Sequence, residues 1–175
     1  MLKKILPVVA LVTILIPTVV MADGPINLSL LNPIQIVKED QSVTAFRFSL
    51  ITGKNVDLTG LDISLVGMNT GNVTGWSTVG VGLVDGSFTG VQNGWLASIT
   101  KGNMQGVQVG AYTKSGLGST GVQFGLFNTA DDFSGLQFGV VNIAETMRSG
   151  LQIGLLNIIR NKEKLKIFPF VNWRF

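Results

Sequence analysis

Few side chains in this 175-residue sequence could do chemistry, and their spacing limits what that chemistry could be. Histidine and cysteine are both absent. Their absence removes thiol nucleophiles, serine–histidine catalysis and the common zinc sites together, and it leaves no disulfide to brace the fold. Carboxylates remain. Carbohydrate hydrolysis needs two of them converging on one face, but Asp62 and Asp85 stand at different positions, two and ten, of the repeat described below, so no enzyme active site is expected. Asp131 and Asp132 could form half of a calcium-binding turn. Neighbouring turns do not repeat the acids, which favours a solvated turn. Gly116-Leu117-Gly118-Ser119-Thr120-Gly121 matches G-x-G-x-x-G by letter. A dinucleotide site needs that loop between a parallel strand and a helix; no helical pattern follows, so these glycines read as a turn. No cofactor, no metal site and no small-molecule substrate is expected.

The elements that carry these residues repeat. Copies begin at Gly60 (GLDISLVG), Gly75 (GWSTVGVG), Gly90 (GVQNGWLA), Gly106 (GVQVGAY), Gly121 (GVQFGLFN), Gly135 (GLQFGVVN) and Gly150 (GLQIGLLN). Successive starts are 15, 15, 16, 15, 14 and 15 residues apart. A fixed short period indicates stacked units rather than one globular core.

With the opening glycine as position zero, position one is apolar in every copy: Leu61, Trp76, Val91, Val107, Val122, Leu136 and Leu151. Position two is glutamine in five copies running, Gln92, Gln108, Gln123, Gln137 and Gln152, and position four is glycine in the same five, Gly94, Gly110, Gly125, Gly139 and Gly154. This alternation predicts a strand with one buried face. Positions five and six are both apolar, as in Leu126-Phe127, Val140-Val141 and Leu155-Leu156, which predicts a bulge or corner. Asn128, Asn142 and Asn157 follow, and asparagine tolerates the left-handed backbone of a bend. Turn-rich stretches come next, such as Thr70-Gly71-Asn72, Asp85-Gly86-Ser87 and Lys101-Gly102-Asn103, and then an apolar residue just before the next start (Val73, Phe88, Met104, Phe133). The glutamine and asparagine rows are expected to form structural ladders. For Trp76 and Trp95, core packing or surface anchoring is favoured over stacking on a sugar or sitting at a membrane interface.

An all-β fold is therefore expected, in one of two architectures. In a β-solenoid each repeat is one coil, and seven coils make a rod of roughly 33 Å at the interstrand spacing. In an antiparallel meander closed into an outer-membrane barrel, each repeat is one strand and a hairpin. The barrel is supported by terminal Phe175 with Trp173 and Val171 alternating before it, and by the Asp85-Gly86 hairpin signal. The solenoid is favoured by the similar turn lengths of odd and even repeats. Pro33 and Pro169 in the first and last strand-like segments also favour it, because proline suits open edges.

Residues 1–22 read as a secretory signal peptide: Lys3 and Lys4, an apolar run from Ile5 to Val20, and a cleavage site at Val20-Met21-Ala22. Residues 23–58 are expected to form N-terminal strands or a cap, 59–160 the seven repeats, and 161–175 a C-terminal strand or cap. Without Lys3 and Lys4 the balance of bases to acids falls from 13 against 10 to 11 against 10. That balance gives no reason to expect nucleic acid as a partner. Six bases and one acid lie from Arg148 onward, and a solvated loop around residues 161–164 is favoured for them over contact with anionic lipid or polysaccharide headgroups.

The unit G-[LV]-Q-x-G-x-x-N is clearest in three stretches: Gly121, Gln123, Gly125 and Asn128; Gly135, Gln137, Gly139 and Asn142; and Gly150, Gln152, Gly154 and Asn157. Gly106, Gln108 and Gly110 carry all but the asparagine. With the tail FPFVNWRF, this unit resembles a family of signal-bearing surface-repeat proteins of spirochaetes and other Gram-negative-type bacteria. The resemblance spans Ile26 to Phe175 and implies export and a place at the cell surface or outer membrane, with the periplasm also open. It implies no reaction. Asp62 and Ser77 depart from the motif near the glutamine position, and the first three copies lack the asparagine. The Q-x-G-x-x-N core is also similar to the curlin repeat, without that repeat's second polar half. The function expected is that of an exported, non-enzymatic structural or surface-display protein. Envelope components are its expected partners, and self-association through open β ends is possible in principle. A small integral outer-membrane barrel is the alternative.

Overall fold

The computed structural model describes residues 23–175, so the expected signal peptide lies outside the described residues. Twelve strands run β1 (Gly24–Leu31), β2 (Ile34–Gln35), β3 (Val43–Asn55), β4 (Leu58–Asn69), β5 (Val73–Val84), β6 (Phe88–Thr100), β7 (Met104–Val109), β8 (Tyr112–Ser115), β9 (Ser119–Phe124), β10 (Phe127–Phe138), β11 (Val141–Ile159) and β12 (Ile167–Arg174). About 75% of the described residues are strand, and no helix occurs among them.

The strands pair in parallel with their neighbours one repeat away. Gly60 stands beside Gly75, Gly75 beside Gly90, Gly90 beside Gly106, and so on to Gly150. The molecule is a β-solenoid of about nine turns, roughly 43 Å long at one interstrand step per turn. The closed antiparallel barrel is thereby excluded. Antiparallel pairing is confined to the two ends, where β2 folds back on β1 and β12 on β11. Pro169 sits in β12, an end strand of the sheet, where a missing N–H is tolerated.

The stack continues above the first recognisable repeat. Phe46, Arg47 and Phe48 align with Leu61, Asp62 and Ile63, and Ile26 to Ser29 align in turn with Phe46 to Ser49. Residues 43–55 thus form a coil that opens on Ala45 instead of glycine, so the glycine pattern could not reveal it.

The opening glycines are required by geometry. Gly121 has a φ of +139°, and a Cβ there would drive into the carbonyl of Gly106 in the preceding coil. The same relation recurs down the column, so the period is set by where the backbone must turn without a side chain.

The double apolar step is the corner it was expected to be: β9 gives way to β10 at Gly125-Leu126, and β10 to β11 at Gly139-Val140. The asparagines that follow are not left-handed bend residues. Among the described residues only Leu165 and Phe170 combine a side chain with positive φ, and Asn128, Asn142 and Asn157 point inward and are fully buried.

A further difference concerns which strand face is buried. The glutamine face lies inside and the position-one and position-three face lies outside. Gln92, Gln108, Gln123, Gln137 and Gln152 are fully buried, while Trp76 is 53% and Trp95 70% exposed, so core packing does not hold for these tryptophans. Alternation gives two faces without saying which is inner. The amides can face inward because each finds its partner one coil away. Among the described residues, apolar packing inside centres on two clusters, one around Val43, Leu58, Val73 and Phe88 and one around Ala130, Phe133, Ala144 and Met147, with Val79 and Met104 buried outside them. These clusters include the apolar residues that precede Gly60, Gly75, Gly90, Gly135 and Gly150 (Leu58, Val73, Phe88, Phe133 and Met147); buried Met104 stands before Gly106 and Ser119 before Gly121.

Candidate functional surface

Inside the rod, side-chain amides bond along the axis. Nε2 of Gln108 donates to Oε1 of Gln92 at 2.9 Å, Gln123 to Gln108 at 2.8 Å, Gln137 to Gln123 at 2.6 Å and Gln152 to Gln137 at 2.7 Å. Backbone carbonyls take other donor bonds: Gln108 reaches Ser98 and Lys114, Gln123 reaches Thr129, and Gln152 reaches Ile158. The asparagine ladder runs the opposite way. Nδ2 of Asn128 donates to Oδ1 of Asn142 at 2.8 Å, and Asn142 donates to Asn157 at 2.7 Å. Glutamines therefore donate toward the N-terminal end and asparagines toward the C-terminal end, so the two rows of amide dipoles oppose one another. A buried amide left unpaired costs about 1–3 kcal/mol, and the stack avoids that cost by repetition.

The rows are thus structural ladders, as expected. Gly110, Gly125, Gly139 and Gly154 accompany them at position four, beside the corner. Gly125 and Gly139 make room for the asparagine amides, since a Cβ on either would crowd Asn128.

At the N-terminal end the same column carries charge. Arg47 and Asp62 form a bidentate pair, with Nε to Oδ1 at 2.9 Å and Nη2 to Oδ2 at 2.7 Å. Ser64 and Ser77 donate to the carboxylate, and Asn55, Asn69 and the carbonyl of Met68 accept from the guanidinium. Position seven is Gly53, Gly67 and Gly82 in this region, where later coils have Ser98, Thr113 and the asparagines. The exchange is steric: a Cβ on Gly67 would stand 2.7 Å from Oδ2 of Asp62 and 3.0 Å from Nη2 of Arg47. The sequence shows Asp62 out of pattern, but nothing in it marks Arg47 as its partner.

The other residues with chemical potential lie beyond position eight: Asp85 and Lys101 in turns, Asp131 and Asp132 within β10 and not in the solvated turn expected of them, and Glu145 and Arg148 within β11. Asp85 pairs with Lys101 at 2.7 Å, Asp132 with Arg148 at 3.1 Å and Glu145 with Arg160 at 3.1 Å. Asp62 and Asp85 do not share a site. Among the described residues no group of three or more acids gathers as a metal site would require. Gly116 to Gly118 form the loop between β8 and β9, with Leu117 facing solvent.

What remains free is the outer surface, and it is strongly segregated. From Phe46 to Leu156, the outward positions one, three, five and six hold no charged residue in any coil. They hold Phe46, Phe48, Leu50, Leu61, Ile63, Leu65, Trp76, Trp95, Leu96, Phe124, Leu126, Phe127, Leu136, Val140, Leu151, Ile153 and Leu155 among others. Phe124 and Phe138 stack in adjacent coils with centroids 5.0 Å apart. Gly80 interrupts the position-five column and leaves an apolar depression of about 280 Å³ bordered by Phe48, Leu50, Ile63, Leu65 and Trp95. The exposed charges of the coils occupy position eight and the turns beyond it.

No protein-family model, no curated protein and no solved structure matches this chain.

Proposed function

We propose that this chain is an exported structural repeat protein of a bacterial cell envelope, a non-enzymatic rod that works through the surface it presents to envelope components. The observation that carries this reading is the fate of the most regular polar residues. The glutamines and asparagines of the repeat are buried and bonded to one another. The apolar outward positions are left as the part of each coil available to a partner. The charged start at Lys3 and Lys4, the apolar run after it and the resemblance to surface-repeat proteins support export.

The test is fractionation of producing cells with mass measurement of the recovered chain. Recovery with the envelope, in a form beginning at Asp23, is expected. Recovery from the cytosol with residues 1–22 intact would reject the proposal.

A further inference from the structure

The geometry points to a lipid bilayer as the occupant of the uncharged outer belt, with the rod lying along the membrane surface and its position-five ridge dipped into the hydrocarbon. This deepens the envelope reading and rests on it for its biological setting.

Four outward positions per coil are free of charge along the stack, while the exposed acids and bases of the coils fall at position eight and beyond it, and the Arg47–Asp62 pair is buried inside. An element that divides its surface this way settles at a boundary between water and hydrocarbon, its apolar side buried by about 5–10 Å. Neutral ion pairs such as Asp85–Lys101 then face the water.

Shape and area argue against a second copy as occupant. The belt measures roughly 40 Å by 20 Å, about 800 Å², from the strand spacing and the rise per residue. That exceeds what a soluble monomer commonly exposes as one patch. The belt is not flat, because it bends over the corner between positions three and six. Its most exposed members lie on that convex ridge: Trp95 at 70%, Leu96 at 66% and Leu155 at 64%. A flat partner face could cover only one flank, about 400 Å², half of what each partner of a stable pair usually contributes. A fluid hydrocarbon phase covers both flanks and the ridge. Backbone polar groups do not oppose this, since along the stack each coil bonds to the coils beside it.

The experiment reads where lipid touches the purified full chain. In one variant Trp76→Phe and Trp173→Phe leave Trp95 as the single reporter on the ridge. In a second, Trp76→Phe, Trp95→Phe and Trp173→Phe are joined by Leu117→Trp, which places the reporter on the turn edge. Both are mixed with vesicles of brominated phosphatidylcholine at low and high salt. Quenching of the ridge reporter at least twofold stronger than that of the edge reporter, unchanged by salt, is expected. Absent quenching, equal quenching of both reporters, or quenching that disappears at high salt would overturn the inference. So would a ridge reporter shielded from iodide without lipid in a protein that sediments as a dimer, which would identify a second copy. Because residues 1–22 are common to both variants, their own lipid affinity does not produce the difference. Vesicle binding can fail while export holds, and the reverse, so the two failures are distinguishable.

Discussion

Arg47 and Asp62 lie one coil apart inside the rod, joined by hydrogen bonds of 2.9 and 2.7 Å, in the column that glutamine fills from Gln92 to Gln152. A bidentate ion pair and an amide ladder solve the same problem there. Each satisfies buried polar groups by reaching along the axis, and each relies on the one-coil step.

Breaking the pair should be costly and removing it whole should not. Asp62→Leu leaves a buried guanidinium without its carboxylate and is expected to cost about 3–5 kcal/mol. Adding Arg47→Met to it should recover most of that loss. Urea unfolding of the two variants beside the parent chain measures the difference; a double variant as unstable as the single one would refute it.

Ladder members should differ in value by position. Gln123→Leu strips the donor from Oε1 of Gln108 and the acceptor from Nε2 of Gln137, which has no other bond. A loss of about 2–4 kcal/mol is expected. Gln92→Leu is expected to cost less, about 1–2 kcal/mol: it takes the acceptor from the buried Thr100 hydroxyl, but Gln108 keeps the carbonyls of Ser98 and Lys114 and the Gln92 Nε2, itself unpaired, is removed. Equal losses in urea titrations would show that the amides do not act as a directional ladder.

The opening glycines were visible in the sequence and their cause was not. Gly121→Ala combines positive φ with a clash against the Gly106 carbonyl, and a cost of about 2–4 kcal/mol is expected. Gly118 has a φ of +73° but only the Asn103 side chain nearby, at 3.6 Å. Gly118→Ala should cost about 1 kcal/mol. Thermal unfolding of the two variants checks the ranking.

One carboxylate gives the N-terminal end a pH dependence. Donation by Asn32, with the Lys54 ammonium beside it, holds Glu39 below its ordinary value of 4.5. A carboxylate depressed on folding contributes its stability fully above the unfolded value and loses it as pH falls through the folded one. Amide protection factors around Asn32 and Glu39, taken relative to the intrinsic exchange rate at each pH, should therefore fall below about pH 4.5, and Glu39→Gln should abolish that change.

The strand character, the coil length, the corner at Leu126-Phe127 and the turns around Gly71, Gly86 and Gly102 were legible because each follows from local residue chemistry. The direction of each strand face was not. Gln123 and Phe124 alternate equally well with either one inside, and the choice depends on a bond from Gln123 to a residue 15 positions away. The coil of residues 43–55 was hidden for a related reason. Its Arg47 resembles no glutamine, and its place in the column shows only when Asp62 is beside it. The outer belt stayed unread because apolar residues in a strand are ordinarily assigned inward.

Parallel, in-register stacking with position one outside can be measured directly, because the sequence contains no cysteine. Val107→Cys and Val122→Cys lie opposite one another in adjacent coils, one step of about 4.8 Å apart, within disulfide reach. A meander folded at the Lys101-Gly102-Asn103 turn would instead bring position 107 beside position 97, whereas here Ala97 stands beside Tyr112. Mild oxidation of the folded protein is predicted to close the 107–122 pair rapidly and to leave an Ala97→Cys, Val107→Cys pair open. Preferential closure of the 97–107 pair would contradict the solenoid.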